Sequence, residues 1–182
     1  MDAYVYIRIA SGSMPETLAA LSAKPGIKRV VATIGDWDLL LYAKGASLSE
    51  IGNRVLAEIH EIPGVVQTIT APVVPPDRAG LFGIAVAIPQ IVPDACYVHI
   101  RAKTGKAVEI GESLAGMDDV DGVALLAGEW DILASIHKPW EVASGIILEQ
   151  VHGIPGVQAT KTLVSIDYEE VEEDRDQFSA WS

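Results

Sequence analysis

The sequence predicts an α+β protein made of two tandem units, each with the element order βαββαβ. Three segments recur along the chain in the same order. "YVYIR" from Tyr4 returns 93 residues later as "YVHIR", and "GDWDLL" from Gly35 returns 93 residues later as "GEWDIL". "HEIPGV" from His60 returns 92 residues later as "HGIPGV". Three ordered matches at nearly one spacing indicate an internal duplication.

The repeat divides the chain into four parts. We expect one unit at 3–74 and a second at 95–166, separated by a linker at 75–94. The linker is too apolar for a solvated tether, so we expect it to lie along a groove or sheet edge between the units. The tail at 167–182 is rich in Asp and Glu, a composition typical of disorder.

The first strand of each unit has two different faces. Tyr4–Ile9 alternates with a period of two, which is the side-chain period of a strand. We expect Val5, Ile7 and Ile9 to lie beneath the helices of the unit. The opposite face carries large side chains that suit contact with a second sheet, within the chain or from another chain. These are Tyr4, Tyr6 and Arg8, with Tyr97, His99 and Arg101 in the second unit.

Local signals predict the remaining elements of the first unit. An apolar stripe of helical spacing follows Pro15, and a capping box at Ser47–Glu50 starts a second helix. Two β-rich runs, 27–34 and 37–43, flank a hairpin turn at Gly35 and Asp36. The "IPGV" sequence ends the second helix before a last strand at 65–70. In the second unit Pro139 replaces the capping box, and we expect it at the first helical position. This order is that of a ferredoxin-like unit.

The set of motifs resembles the effector-binding domain of Lrp/AsnC regulators, also called the RAM domain. The resemblance implies a dimeric α/β barrel formed by paired sheets, larger homo-oligomers, and crevices that bind amino acids or related small molecules. It covers both units and consists of a Gly-x-aromatic-Asp hairpin, a helix ending in "PGV", and alternate threonines in the last strand. The matching positions are Gly35, Trp37, Asp38, Thr68 and Thr70, and then Gly128, Trp130, Asp131, Thr160 and Thr162.

Two departures from the family bear on function. The chain begins at the first strand, so we expect no helix-turn-helix in it, and the module is doubled. The resemblance therefore implies ligand sensing or assembly through protein contacts, with a full-length Lrp/AsnC-type regulator as a possible partner. A purely structural assembly module, or a barrel enzyme with His99 as its polar group, is the alternative.

Each candidate ligand residue also has a structural interpretation. Aspartates of the hairpins could bind an ammonium group or accept backbone N–H bonds, and the tryptophans could wall a pocket or pack an interface. Arginines could pair with a ligand carboxylate or with an acidic side chain of a facing sheet, and threonines could bind ligand or pack across strands. The candidates are Arg8, Gly35, Asp36, Trp37, Asp38, Thr68, Thr70, Arg101, Gly128, Glu129, Trp130, Asp131, Thr160 and Thr162.

Composition excludes several classes of function. The net charge of −12 opposes nucleic-acid binding, which depends on Lys and Arg that neutralise phosphates. No apolar run is long enough to span a membrane, and a lone Cys96 suits a reducing cytoplasm. The histidines have no metal-ligand spacing, and we expect neither a metal nor a cofactor. No catalytic constellation is recognisable, which favours a protein that is not an enzyme.

Overall fold

The computed structural model of the chain describes residues 1–75, 77 and 87–169. These residues form eight strands and four α-helices in the order βαββαβ, repeated once. The second helix of each unit continues as a five-residue π-helical segment, at Val55–Ile59 and at Ile147–Val151. The first unit contains β1 (Asp2–Ile9), α1 (Met14–Ser22), β2 (Ile27–Ile34), β3 (Leu39–Lys44), α2 (Leu48–Arg54) and β4 (Val65–Pro72). The second contains β5 (Cys96–Ala102), α3 (Ala107–Ala115), β6 (Gly122–Leu125), β7 (Ile132–Ile136), α4 (Trp140–Ile146) and β8 (Val157–Ile166).

The eight strands form one hydrogen-bonded sheet in the order β4-β1-β3-β2-β8-β5-β7-β6. In its middle β2 pairs with β8, and Thr33 lies opposite Ser165. At its outer edges Val73 pairs with Leu126. In the sequence repeat Thr33 corresponds to Leu126 and Ser165 to Val73, so a pseudo-two-fold axis relates these two seams. The second seam closes the sheet into a barrel and confirms the predicted fold class, with the two ferredoxin-like sheets pairing inside one chain.

The barrel separates three hydrophobic clusters. Two lie between the sheet and the helices, one for each unit, and the third fills the barrel interior. Val5 and Ile7 face the helices of the first unit, whereas Tyr4, Tyr6 and Tyr97 face the interior. The Tyr-bearing face of the first strand thus packs against its counterpart in the second unit, as its alternating pattern predicts.

The Gly-acid-Trp-Asp segment forms a longer turn than the sequence predicts. Strand β3 begins at Leu39 rather than at Trp37, so the turn spans residues 35–38. The backbone N–H of Thr33 donates to the Asp38 carbonyl over 2.8 Å, and the Thr33 hydroxyl donates to the Trp37 carbonyl over 2.8 Å. These bonds close the turn and remove Trp37 from the strand ladder.

The starts of α2 and α4 differ as their sequences do. Ser47 accepts a hydrogen bond from the Glu50 N–H over 3.1 Å, which confirms the predicted N-cap of α2. Pro139 occupies the N-cap of α4 and not the first helical position, since its ψ of 151° is extended. The helix therefore begins one residue later, at Trp140.

The described part of the linker closes one end of the barrel. The Tyr4 hydroxyl donates to the Pro89 carbonyl over 2.6 Å, and the Tyr97 hydroxyl donates to the Gln90 carbonyl over 2.8 Å. Ile91 is buried among the interior side chains. This position fits the predicted groove-lying segment. The apolar residues Leu81, Phe82, Ile84 and Val86, and the acidic tail from residue 170 onward, lie outside the described residues.

The sheet runs continuously across both units, so the boundaries at 3–74 and 95–166 stay a prediction from the sequence. Within the described part of the chain, no helix is long and apolar enough to cross a membrane.

Candidate functional site

A pocket opens at the end of the barrel opposite the linker. It has a volume of about 170 Å³ and lies where the two Gly-acid-Trp turns approach each other across the pseudo-two-fold axis. Its floor lies deep in the barrel, and its rim consists of the exposed turns. The lining residues are Tyr6, Gly35, Asp36, Trp37, Ile69, Thr70, Ala71, His99, Leu126, Gly128, Glu129, Trp130, Lys161, Thr162 and Leu163. All of them except Leu126 form pairs related by the sequence repeat.

Four aromatic rings cross the barrel in a row. The ring centroids of Trp37 and Tyr6 are 6.1 Å apart, those of Tyr6 and His99 are 5.2 Å apart, and those of His99 and Trp130 are 6.2 Å apart. An arginine caps each end of the row. The guanidinium carbon of Arg8 lies 4.8 Å from the Trp37 ring, and that of Arg101 lies 4.9 Å from the Trp130 ring. Such contacts fix the orientation of both tryptophans, which form opposite walls of the pocket.

Tyr6 and His99 meet at the floor of the pocket. The Tyr6 Oη and the His99 Nε2 are 2.7 Å apart, and both residues are 4% exposed. The His99 Nδ1 lies 3.2 Å from the Lys161 carbonyl oxygen. Burial lowers the pKa of His99 to about 4, and burial raises the pKa of Tyr6 above its ordinary value. Both groups are therefore neutral at pH 7.

Charge is distributed unequally between the two sides of the rim. The Lys161 ammonium contacts the Asp36 carboxylate, and this hydrogen bond lowers the pKa of Asp36 below its ordinary value. In the repeat Ile69 corresponds to Lys161, so the opposite turn has no such partner for Glu129. Glu129 instead lies 3.9 Å from the exposed Arg101 guanidinium. The rim therefore presents one ion pair, Lys161 with Asp36, and one carboxylate, that of Glu129, whose ionic contact is longer.

The hairpin aspartates occupy structural positions. The Asp38 carboxylate accepts the Ile9 N–H over 2.9 Å, and the Asp131 carboxylate accepts the Ala102 N–H over 2.8 Å. Neither residue belongs to the described pocket lining. The geometry matches the bracing interpretation, because each carboxylate satisfies a backbone donor at the end of the neighbouring first strand.

The threonines and arginines divide between the pocket and its surroundings. Thr70 and Thr162 line the pocket. Thr68 and Thr160 instead place their hydroxyls 2.7 Å from the imidazoles of His60 and His152. Arg8 and Arg101 pack behind the tryptophans, where Arg8 donates to the Gln67 side chain and to the Asp36 carbonyl over 2.9 Å. The pocket thus brings together Gly35, Asp36, Trp37, Thr70, Gly128, Glu129, Trp130 and Thr162 from the predicted set.

Sequence reasoning missed part of the lining. Lys161 is absent from the candidates. The sequence predicts Tyr6 and His99 on the sheet-contact face of the first strands, and His99 also as the polar group of the enzyme alternative. A signal was available in the repeat itself, since Tyr6 is replaced by His99 and Ile69 by Lys161, two exchanges that change the chemistry of the side chain. Positions at which the two copies differ in chemistry mark where the pocket loses its symmetry. Among residues 1–75, 77 and 87–169, no group of three or more His, Cys, Asp and Glu side chains could hold a metal ion.

The first unit is similar in sequence to a known ligand-binding domain. The family model described as the Lrp/AsnC ligand binding domain matches residues 2–75. Residues 2–75 thus resemble that domain. Residues 95–166 lie outside that match, so a second copy of the Lrp/AsnC domain stays a prediction.

Curated relatives of the Lrp/AsnC domain are regulators from archaea. An uncharacterized HTH-type transcriptional regulator of Pyrococcus furiosus is 39% identical over 71 residues, which cover 37% of this chain and 47% of that protein. The HTH-type transcriptional regulator LysM of Saccharolobus solfataricus is 39% identical over 54 residues, which cover 30% of this chain and 37% of that protein. The chain thus matches less than half the length of these relatives.

A solved structure shares the arrangement of the whole chain. The siroheme decarboxylase NirDL has a TM-score of 0.65 with 12% identity, covering 100% of this chain and 79% of its own. A second structure of NirDL, in co-complex with an iron-uroporphyrin III analogue, has a TM-score of 0.62 with 11% identity and covers 80% of its own chain. At this identity the likeness shows the fold alone.

Proposed function

We propose that the protein senses a small zwitterion, an amino acid, in the pocket between the two Gly-acid-Trp turns, and acts through protein contacts. One observation carries this proposal. The pocket combines two apolar aromatic walls with a cation and carboxylates at a single rim. A free amino acid has the complementary pattern, because its charges lie at one end and its side chain at the other.

The rim supplies partners for both charges of the ligand. The ligand carboxylate would pair with the Lys161 ammonium, and the ligand ammonium with the Glu129 carboxylate. Lys161 already pairs with Asp36, but both side chains are more than half exposed. Exposed ion pairs of this kind contribute only about 0–1 kcal/mol, so exchange for a ligand carboxylate costs little.

The size of the pocket supports a small ligand. A cavity of about 150 Å³ holds benzene, and this pocket of about 170 Å³ also opens to solvent at its rim. Amino-acid side chains fit that volume. The linker occupies the other end of the barrel, so the space for a ligand is confined to this end.

The enzyme alternative depends on His99, the buried imidazole of the barrel. A general base works best when its pKa lies near the operating pH. The pKa of His99 is lowered to about 4, and its Nε2 is already engaged by Tyr6. His99 is therefore a weak base at neutral pH, which favours binding over catalysis.

A thermal-shift and calorimetric screen against the common amino acids tests the proposal. Lys161→Met and Glu129→Gln should each weaken the binding of the responding amino acid by about tenfold, because each removes a charged partner at the rim. Matched controls are Lys138→Met, whose ammonium pairs with Asp119 over 3.2 Å, and Glu109→Gln, whose carboxylate pairs with Lys106 over 2.6 Å. Both controls should keep wild-type affinity.

Two results would overturn the proposal. One is the absence of a response to any amino acid. The other is a response that Lys161→Met and Glu129→Gln leave unchanged. A pocket that stays empty in every such experiment would favour the purely structural module.

The partners follow from the same proposal. We expect homo-oligomers, and assembly with a full-length Lrp/AsnC-type regulator, to transmit the ligand signal. The relatives named above are such regulators. Native mass spectrometry with and without the responding amino acid tests this part, since a monomer under all conditions would contradict it.

A further inference from the structure

We infer that the floor of the pocket selects ligands that present a hydrogen-bond donor, a hydroxyl or an N–H group, at the end that enters first. The inference rests on the proposed small-molecule site and adds the chemical class of its ligand. Three groups carry it: the Tyr6 hydroxyl, the His99 imidazole and the backbone carbonyl of Lys161.

The direction of each hydrogen bond at the floor follows from the Lys161 carbonyl. A carbonyl oxygen only accepts, so the His99 Nδ1 at 3.2 Å must carry the proton. A neutral imidazole has one N–H group, and therefore the His99 Nε2 is an acceptor. The Tyr6 hydroxyl, 2.7 Å away, must donate its proton to that nitrogen. The Tyr6 oxygen is left with lone pairs only.

The protonation states hold this direction fixed. Burial keeps the His99 imidazole neutral because its pKa is lowered to about 4. Burial also keeps the Tyr6 phenol protonated, since its pKa is raised above the ordinary value. Neither proton can leave or arrive near pH 7, so the Tyr6 oxygen stays an acceptor.

A ligand group at the floor meets this acceptor in an apolar surrounding. The ring faces of both tryptophans and the side chains of Ala71 and Leu163 are apolar, and they offer few alternative partners to a polar ligand atom. A donor would complete the hydrogen bonding of the Tyr6 oxygen. A carbonyl, ether or carboxylate oxygen would face its lone pairs and lose its own hydration without replacement. An anionic group therefore belongs at the rim beside the Lys161 ammonium.

Three neutral probes of similar size test the floor directly. Phenol carries a donor, toluene carries none, and anisole carries only an acceptor. Each is titrated into the wild-type protein at pH 7 while the indole signals of the tryptophans are followed by NMR. We expect phenol to bind about five- to tenfold more tightly than toluene, because one additional hydrogen bond contributes that much affinity. Anisole should bind no more tightly than toluene.

A pair of matched variants assigns the preference to Tyr6. Tyr6→Phe removes the acceptor and should bring the affinity for phenol to that for toluene. Tyr97→Phe makes the same change at the closed end of the barrel and should keep the preference for phenol. His99→Gln provides a second variant, because an amide can reverse its direction and let the Tyr6 hydroxyl donate to a ligand. It should raise the affinity for anisole relative to toluene.

The outcomes separate this inference from the proposed function. Equal affinities for phenol and toluene, tightest binding of anisole, no binding of any probe, or a preference that survives Tyr6→Phe would overturn the inference. Amino-acid binding that depends on Lys161 can hold in each of those cases. Conversely, a Tyr6-dependent preference for phenol without amino-acid binding would support the floor chemistry and reject the amino-acid ligand.

Discussion

Tyr6 and His99 occupy equivalent positions in the two units and hydrogen-bond to each other across the pseudo-two-fold axis, with 2.7 Å between Oη and Nε2. Two identical side chains in these positions could exchange donor and acceptor roles. The histidine breaks that equivalence, because the Lys161 carbonyl fixes its tautomer. The buried contact between the units is therefore directional and requires a neutral imidazole.

Protonation of His99 should destabilise the fold as the pH falls. Its pKa is lowered to about 4 in the folded protein, whereas an unfolded histidine titrates near 6.5. Between these values the unfolded chain binds a proton that the folded chain does not. The stability contributed by neutral His99 is complete above pH 6.5 and is lost towards pH 4, by roughly 3 kcal/mol in all.

Urea denaturation at several pH values measures this loss. His99→Gln should show a flatter dependence of the free energy of unfolding between pH 6.5 and 4.5 than the wild type does. His60→Gln, which removes an exposed imidazole, is the matched control for the loss of a histidine. Equal slopes for the wild type and His99→Gln would contradict the prediction.

Loss of a hairpin carboxylate should cost stability in either unit. Asp38→Ala leaves the Ile9 N–H without its acceptor, and Asp131→Ala does the same to the Ala102 N–H. An unsatisfied, partly buried donor costs about 1–2 kcal/mol, so each change should lower the free energy of unfolding by that amount. Asp36→Ala, at an exposed ion pair, should have a much smaller effect.

The same aspartate variants also test the ligand interpretation of the sequence. Both carboxylates lie outside the pocket lining, so calorimetry should find amino-acid affinity unchanged in Asp38→Ala and Asp131→Ala. Variants that keep full stability but lose the ligand response would show that these carboxylates contact the ligand.

The fold was predictable from the sequence because its information is local and repeated. The alternation of Tyr4–Ile9 predicts a strand with two faces, and the structure places those faces on two different cores. The length of the turn was not predictable in this way. Whether Trp37 belongs to a strand or to a turn depends on the hydrogen bonds of Thr33 to the Trp37 and Asp38 carbonyls. These bonds form only when the hairpin has folded.

The sequence predicts the turn residues of the pocket but not the lysine that contacts them. Gly35, Trp37 and their counterparts are recognisable as a local motif. Lys161 reaches Asp36 only because β8 pairs with β2 across the seam. A local pattern carries no information about which edge of one sheet meets which edge of the other. The direction of the hydrogen bond between Tyr6 and His99 also depends on how the two sheets pair, because that pairing brings Tyr6 beside His99.

The chain should not bind duplex DNA measurably at physiological salt. Its net charge of −12 leaves few cations to neutralise phosphates, and electrostatic contacts supply most nonspecific affinity. A gel-shift titration to micromolar protein at two salt concentrations checks this. A shifted band that weakens as salt rises would prove the expectation wrong.

The two turn glycines should respond differently to alanine. Gly35 has a φ of +142°, and a Cβ there would lie 2.6 Å from the Leu163 side chain and 3.2 Å from the Thr162 carbonyl. Gly128 has no such backbone angle, and a Cβ there would lie 4.0 Å from Ala71. The difference arises because Leu163 in one unit replaces Ala71 in the other.

Gly35→Ala should therefore lower the free energy of unfolding by about 1–3 kcal/mol, through backbone strain and displacement of Leu163. Gly128→Ala should change it by less than about 0.5 kcal/mol. Urea denaturation measures both, and a double change of Gly35→Ala with Leu163→Ala separates the two causes. The double variant keeps the backbone strain at residue 35 but has no clash with Leu163. It also loses the packing of the buried leucine side chain. Equal tolerance of alanine at both glycines would contradict the unequal packing of the two turns against the pocket wall.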